Sequence, residues 1–224
     1  MADTILVMCA HSDDQILGAG GAMAKYAKKG FDVVTVIFTY GETSHPHIKK
    51  EDIREIRVKE SEDANKVVGG KEVFFLGYTD GSMGKELDSK ESVEKVKNII
   101  RKYQPVKIFT HSVDDLLPDH RAVKRCVLRA YDELYVDEEF DCEVYSFEVW
   151  NLFNMLKRRK PKLIVDITSE FPAKIQALHK FKSQISIFTH TIFVHVLYFG
   201  VYVKGFLNGI KYGNRFTEVY FKIR

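Results

Sequence analysis

Thr4-Ile5-Leu6-Val7-Met8-Cys9-Ala10, running directly into His11-Ser12-Asp13-Asp14, is the stretch from which the fold follows. An apolar run without alternation belongs to a strand covered on both faces, and such strands sit in parallel sheets. The polar residues at its end mark where the chain leaves the sheet. Leu17–Lys29 follows with helical spacing and stops at Gly30, and Asp32–Thr39 is a second β-rich run. Strand, helix and strand in that order form a βαβ unit.

The same alternation continues along the chain. Lys50–Val68 has helical spacing and is stopped by Gly69-Gly70; Val73–Leu76 is a short strand. Ser89–Tyr103 is a helix opened by a serine, with Glu91 and Glu94 in its first turns. Val106–Thr110 is a strand, and Pro118–Leu134 a helix with proline in its first turn. Glu143–Val149, Lys162–Asp166 and Thr217–Ile223 read as strands and Glu170–Lys182 as a helix, while the rest of the C-terminal third carries no clear period. The expectation is one α/β domain over residues 1–224, its mainly parallel sheet covered by helices on both faces.

Bulk properties exclude several classes. The 224 residues are 45% hydrophobic and 29% charged, with 34 basic and 31 acidic side chains giving a net charge of +3. This near balance makes no electrostatic case for nucleic acid or an anionic membrane as partner. Cys9, Cys126 and Cys142 are widely spaced and odd in number, which argues against a disulfide framework and fits a reducing cytoplasm. The start of the chain does not read as a signal peptide. Ile185–Val203 contains no Asp, Glu, Lys or Arg and is about long enough to span a bilayer. A buried helix or strand pair, or a surface covered by a second copy in a homo-oligomer, is the expected reading ahead of a membrane anchor.

In parallel sheets, ligands bind beyond the carboxyl ends of the strands. The loops Ala10–Gly18, Tyr40–His47 and His111–His120 occupy such ends and hold five of the eight histidines. His11 and Asp14 are three apart, so a turn opening a helix puts both on one side, a spacing that suits two ligands of one ion. His120, just inside a later helix, would be the third ligand. Two histidines and an aspartate around a free position form a catalytic rather than a structural zinc pattern, and Asp13 would point toward that free position. The spacing also fits a plainer arrangement, an Asp-Asp helix cap beside unrelated histidines. From the residues alone both readings stay open.

Four stretches in order narrow the choice. Ala10-His11-Ser12-Asp13-Asp14, Arg57-Val58-Lys59-Glu60 with Ala64, Phe75-Leu76-Gly77-Tyr78-Thr79-Asp80-Gly81, and Leu117-Pro118-Asp119-His120 together resemble the motifs of the LmbE/PIG-L N-acetylglucosaminyl deacetylases. The likeness is good over about residues 1–130 and loose beyond, where Asn214–Phe221 only faintly matches. It implies a Rossmann-like three-layer fold and one Zn2+ held by His11, Asp14 and His120, with Asp13 as general base. It further implies that Arg57 and Asp80 border the pocket for sugar hydroxyls, and that the reaction is hydrolysis of an N-acetyl or other N-acyl group on an amino sugar such as an N-acetylglucosamine derivative. Two residues depart from the pattern. Leu117 stands where the family has a histidine that helps stabilise the oxyanion, a role for which His111 is the candidate replacement, and Gln15 replaces a glutamate. His45 and His47 flank Pro46 near the expected entrance, where an incidental role is expected.

Two rivals remain. Gly18-Ala19-Gly20-Gly21 could be misread as a nucleotide-binding turn, but the glycines come late and two carboxylates occupy the place of the phosphate. A non-catalytic metal-binding or interaction protein on the same fold is favoured by Leu117.

Overall fold

The computed structural model describes residues 2–44, 49–149, 162–185 and 190–224. The elements are β1 (Thr4–Cys9), α1 (Asp14–Lys28), β2 (Asp32–Thr39), α2 (Lys50–Val67), β3 (Glu72–Tyr78), α3 (Met83–Leu87), α4 (Lys90–Tyr103), β4 (Lys107–His111), α5 (Pro118–Glu138), β5 (Glu143–Phe147), β6 (Lys162–Asp166), α6 (Phe171–Leu178), α7 (Lys182–Ile185), α8 (His190–Tyr212) and β7 (Thr217–Lys222). One sheet runs β3-β2-β1-β4-β5-β7-β6. Only β7 is antiparallel to its neighbours among the described strands.

The mainly parallel, two-faced α/β fold expected from the apolar runs is the fold observed. Alternate residues of β1 serve two cores. Ile5, Val7 and Cys9 join residues of α1, α2 and α6 on one face, while Leu6, Met8 and Ala10 join α3, α4 and α5 on the other. Each side chain of β1 is buried, which is why the run shows no polar alternation. The strand order turns at β1: the chain goes first to β2 on one side and later to β4 on the other. The loops leaving β1 and β4 therefore open a crevice between them, the place where such sheets bind ligands.

Local signals at helix ends hold. Ser89 caps α4 by accepting from the Ser92 backbone N–H at 3.2 Å. Pro118 opens α5, and the chain leaves α1 through Gly30 at φ +86°.

The glycine run in α1 has a packing role. A Cβ on Gly18 would lie 2.3 Å from the Phe147 ring, and one on Gly21 would lie 2.7 Å from Ile167. Both helical positions press directly on the ends of β5 and β6. Between them a buried pair crosses into the helix: Lys174 Nζ donates to the Leu17 carbonyl at 2.8 Å and meets Glu218 at 2.5 Å. Glu218 accepts from the Gly21 and Ala22 backbone N–H groups at 3.1 and 2.7 Å. The helix that begins with Asp14 is thus clamped to α6 and β7.

Two sequence expectations change. Glu170–Lys182 is not one helix: the chain leaves α6 at His179 so that Phe181, fully buried, can enter the core before α7 begins. The unparsed C-terminal stretch forms α8. Tyr198 and Val201 pack on the core and Gly205 lies against the Phe171 and Phe216 rings, while Phe199, Tyr202, Phe206, Leu207 and Ile210 face solvent. With apolar side chains on both faces, no amphipathic period survives in the sequence. Among the described residues no helix is long and apolar enough to cross a membrane. The expectation of a homo-oligomer concerns the exposed face of α8. His45 and His47 lie outside the described residues.

Gly18→Ala is expected to lower stability by about 1–3 kcal/mol through overpacking against Phe147, a fall in melting temperature of roughly 2–10 °C for a chain of this size. Gly84→Ala, where an added Cβ meets nothing within 4 Å, serves as the control in the same thermal melts and should leave the midpoint in place.

Candidate metal centre

Three of the singled-out side chains converge at the mouths of β1 and β4. His11 Nδ1 lies 3.2 Å from His120 Nε2 and 3.3 Å from Asp14 Oδ2, and His120 Nε2 lies 3.2 Å from the same oxygen. The three donor atoms form an almost equilateral triangle. A tetrahedral zinc ion with bonds of about 2.0–2.1 Å needs ligand atoms about 3.3 Å apart, so the residues fit such an ion without rearrangement. His120 and Asp14 are buried and His11 is partly exposed, so the triangle has a closed side and an open one. Asp14 is not a helix cap: its Oδ2 accepts from the His11 backbone N–H at 2.8 Å, which ties the loop around the triangle.

Carboxylates stand behind both rings. His120 Nδ1 lies 2.9 Å from Asp115 Oδ1, which also accepts from the Leu117 N–H at 3.1 Å. His11 Nε2 lies 3.3 Å from Asp80 Oδ1 and 3.8 Å from Asp119 Oδ2. A histidine that presents one nitrogen to a metal commonly gives its other N–H to such a group. Asp115 and Asp119 carried no signal of their own in the sequence. Asp119 entered only as a letter of the fourth motif, and Asp115 lies in a loop whose conformation no period defines.

The remaining residues fall into place around the triangle. Asp13 is the N-terminal boundary residue of α1, its side chain makes no capping hydrogen bond, and its carboxyl feels the charges of Asp14, Arg57 and His11. Arg57 is almost wholly buried, close to Gly41, and the Gln184 side-chain amide lies 2.8 and 2.9 Å from its two terminal nitrogens, where its oxygen can accept from both. Its charge is felt at Asp13. Gln15 bridges the loop, donating to the Ser12 carbonyl at 2.8 Å and lying 3.6 Å from the Cys9 thiol. The neutral amide thus supports the loop from below.

His111, the candidate oxyanion donor, sits at the end of β4. It is fully buried, and its Nε2 accepts from the Ala10 backbone N–H at 2.9 Å. Its ring stacks on His120 at 3.9 Å and meets the edge of Phe147. The strand-end position places it beneath the ligands, where it joins the β1 and β4 loops. Leu117, half-exposed, merely precedes Pro118 at the start of α5.

The electrostatics of the cluster follow from burial and crowding. Burial opposes charge on His120, but Asp14 and Asp115 outweigh it and raise its pKa to about 9. Burial likewise works against charge on His11, and Asp119, Asp14 and Asp80 overcome it to raise that pKa well above the usual value. Burial and the His120 charge push His111 down to about 4, so it is neutral. Burial and the adjacent Asp14 charge raise Asp13, against the opposing pull of Arg57 and His11. Asp14, despite burial, is held well below the ordinary carboxylate range by His120, His111 and His11. A buried anion facing several imidazoles is a ready seat for a cation.

Comparison with known proteins agrees with this geometry. Residues 6–131 match the PIG-L family model, described as GlcNAc-PI de-N-acetylase. The chain is 28% identical over 191 residues to a probable N-acetyl-alpha-D-glucosaminyl L-malate deacetylase 2 of Bacillus cereus, covering 80% of this chain and 83% of that protein. It is 31% identical over 159 residues to a 1D-myo-inositol 2-acetamido-2-deoxy-alpha-D-glucopyranoside deacetylase of Thermomonospora curvata, covering 58% of this chain and 54% of that longer protein. Among solved structures, the N,N'-diacetylchitobiose deacetylase of Pyrococcus horikoshii superposes with a TM-score of 0.80 at 22% identity, over 99% of this chain and 84% of that one. The 4-carboxy-2-hydroxymuconate hydratase GalB of Pseudomonas putida superposes with 0.81 at 21% identity, over 99% and 96%, so this fold hosts more than one reaction. The relatives matched in sequence are largely deacetylases of N-acetylglucosamine derivatives, the matched model spans more than half of the residues, and this chain belongs to the PIG-L family.

Proposed function

We propose that this chain is a zinc-dependent amidohydrolase that removes an acetyl group from the nitrogen of an amino sugar, an N-acetylglucosamine derivative. The observation that carries the reading is the triangle of His11, Asp14 and His120 donors, 3.2–3.3 Å apart, with Asp13 next to Asp14 at the start of α1. Family membership supports it, and the three free cysteines, all buried, suit a cytoplasmic setting.

His11, Asp14 and His120 would hold the ion, which supplies Lewis-acid chemistry, acidifying water and polarising the acetyl carbonyl. Asp13 takes one proton from the attacking water as its oxygen bonds to the carbonyl carbon. When the carbon–nitrogen bond breaks, Asp13 returns that proton to the nitrogen, giving a free amine and acetic acid, which keeps the second water proton and releases it on ionising to acetate. A carboxyl raised by burial and by Asp14 is better matched to both transfers than an ordinary one. His120, oriented by Asp115, and His111, tied to Ala10, keep the floor of the site in register.

A second reading has its own support. Leu117 offers no hydrogen bond, and His111 is buried with its Nε2 bonded to the Ala10 N–H, which supports a metal-binding protein without turnover. One screen separates the two. Zinc-loaded protein is incubated with N-acetylglucosamine and diacetylchitobiose, and free amine and acetate are measured. Turnover that disappears on chelation is expected; full zinc occupancy with no turnover across a panel of N-acyl sugars supports the second reading. Asp13→Asn should lower kcat by ~10²–10⁴ with zinc content unchanged.

Metal binding should also be pH-dependent with a defined sign. Because Asp14 and Asp115 hold the His120 pKa at about 9 in the metal-free chain, the ring is protonated at neutral pH and the ion must displace that proton. Apparent affinity should rise about tenfold per pH unit for each proton displaced, flattening only once both His120 and His11, whose pKa Asp119, Asp14 and Asp80 also raise, have lost their protons. Chelator competition across this range checks it, and an affinity that falls as pH rises would contradict the assignment.

A further inference from the structure

The outward face of α8 carries a repeat of its own, legible only once the structure separates that face from the one on the core. Phe199, Val203, Phe206 and Ile210 follow one another at spacings of four, three and four, and Ile192 and Val196 continue the spacing toward the start of the helix. This is the seven-residue repeat of a coiled-coil seam. Val203 and Ile210 take its a positions, where β-branched residues suit a two-stranded pairing, and Phe199 and Phe206 take the d positions.

The side that seats on the domain is a different one. Tyr198 and Val201 pack on the core, the Tyr198 hydroxyl donates to the Leu178 carbonyl at 2.8 Å, and Gly205 lies against Phe171 and Phe216. A Cβ on Gly209 would lie 2.3 Å from the Arg215 carbonyl oxygen, so the helix cannot roll to hide its outer face. That fixed rotation leaves Phe199 69%, Leu207 55% and Ile210 63% exposed, with Phe206 beside them. A surface helix carries charged residues on its solvent side, and none stands at these positions. Together with Tyr202 these side chains leave roughly 500 Å² of apolar surface open, at ~200 Å² for a large side chain. A stable dimer buries ~800 Å² per partner, about two-thirds of it apolar. The two areas agree.

We propose that α8 is the interface of a symmetric homodimer, in which the seam of one protomer packs knobs-into-holes against the seam of its partner. Such a pairing covers both copies at once, because one self-complementary face meets itself. A lipid surface fits less well. A helix lying on a membrane sets a cationic face against its apolar one, whereas the opposite side of α8 is packed on the domain and Lys204, on its flank, meets Glu148 at 3.2 Å. The proposal is independent of the metal reading, since none of the seam residues belongs to the loops that carry His11, Asp14 and His120.

Sedimentation velocity on the full-length chain at low micromolar concentration tests it. The wild type is expected to sediment as two chains, and Phe199→Glu and Ile210→Glu each as one, with circular dichroism unchanged. Val136→Glu, at an exposed apolar position on α5, is the control and should stay dimeric. If a glutamate variant does not fold, the double variant Phe199→Ala with Ile210→Ala carries the test, because alanine is the strongest helix former. Its dimer should be weaker by at least ~100-fold, since apolar side chains are lost from both copies. A wild-type mass of one chain, or of three or more, overturns the proposal. So does a dimer that persists in the folded glutamate variants, or keeps its affinity in the alanine variant. A monomeric wild type that floats with vesicles of phosphatidylcholine and phosphatidylglycerol would overturn it too and assign the face to a lipid surface.

Discussion

The Asp14 carboxylate is the point on which the site turns. Its Oδ2 accepts the His11 backbone N–H and faces ring nitrogens of His11, His120 and His111, the last at 3.4 Å. Imidazole lone pairs gathered around a buried anion repel one another and it, unless a proton or a metal ion lies among them. The protein nevertheless builds this crowding with care: β1 pairs with β4, and the Ala10 N–H to His111 Nε2 bond locks the two strand ends across 101 residues. Everything chemical in the molecule depends on those two loops being neighbours.

Holding Asp14 in place is a task for the whole domain. Asp14 opens α1, and α1 is pressed so closely onto the strands that Gly18 and Gly21 leave no room for a side chain. The buried Lys174–Glu218 pair then binds that helix to α6 and β7. Removing one partner of such a pair leaves an uncompensated charge and is strongly destabilising. The loosely matched C-terminal region thus contributes the clamp behind Asp14, one of the proposed metal ligands.

The family motifs are only partly a guide to what each residue does in this chain. Arg57 and Asp80 match the expected places; Arg57 faces the Gln184 side-chain amide and Asp80 faces His11 and Thr43. His111, the candidate replacement for the histidine missing at Leu117, accepts from the Ala10 N–H through Nε2 and so also joins two strand ends. Gln15 substitutes for a glutamate without leaving the loop unsupported, because an amide can both donate to Ser12 and accept from Cys9.

The parallel sheet was legible because burial on both faces leaves a direct mark, an apolar run without alternation, and because glycine, proline and serine punctuate helices by their own backbone chemistry. The i, i+3 spacing of His11 and Asp14 was legible for the same reason: it is local geometry. α8 was not, since its apolar side chains lie on both the core and the solvent face and cancel the period that would reveal it. Nor could the sequence pair His120 with Asp115, His11 with Asp80, or Arg57 with Gln184. Those assignments depend on which loops the strand order makes adjacent and how closely the helices seat on the sheet, and packing between segments distant in the chain has no local period to record it.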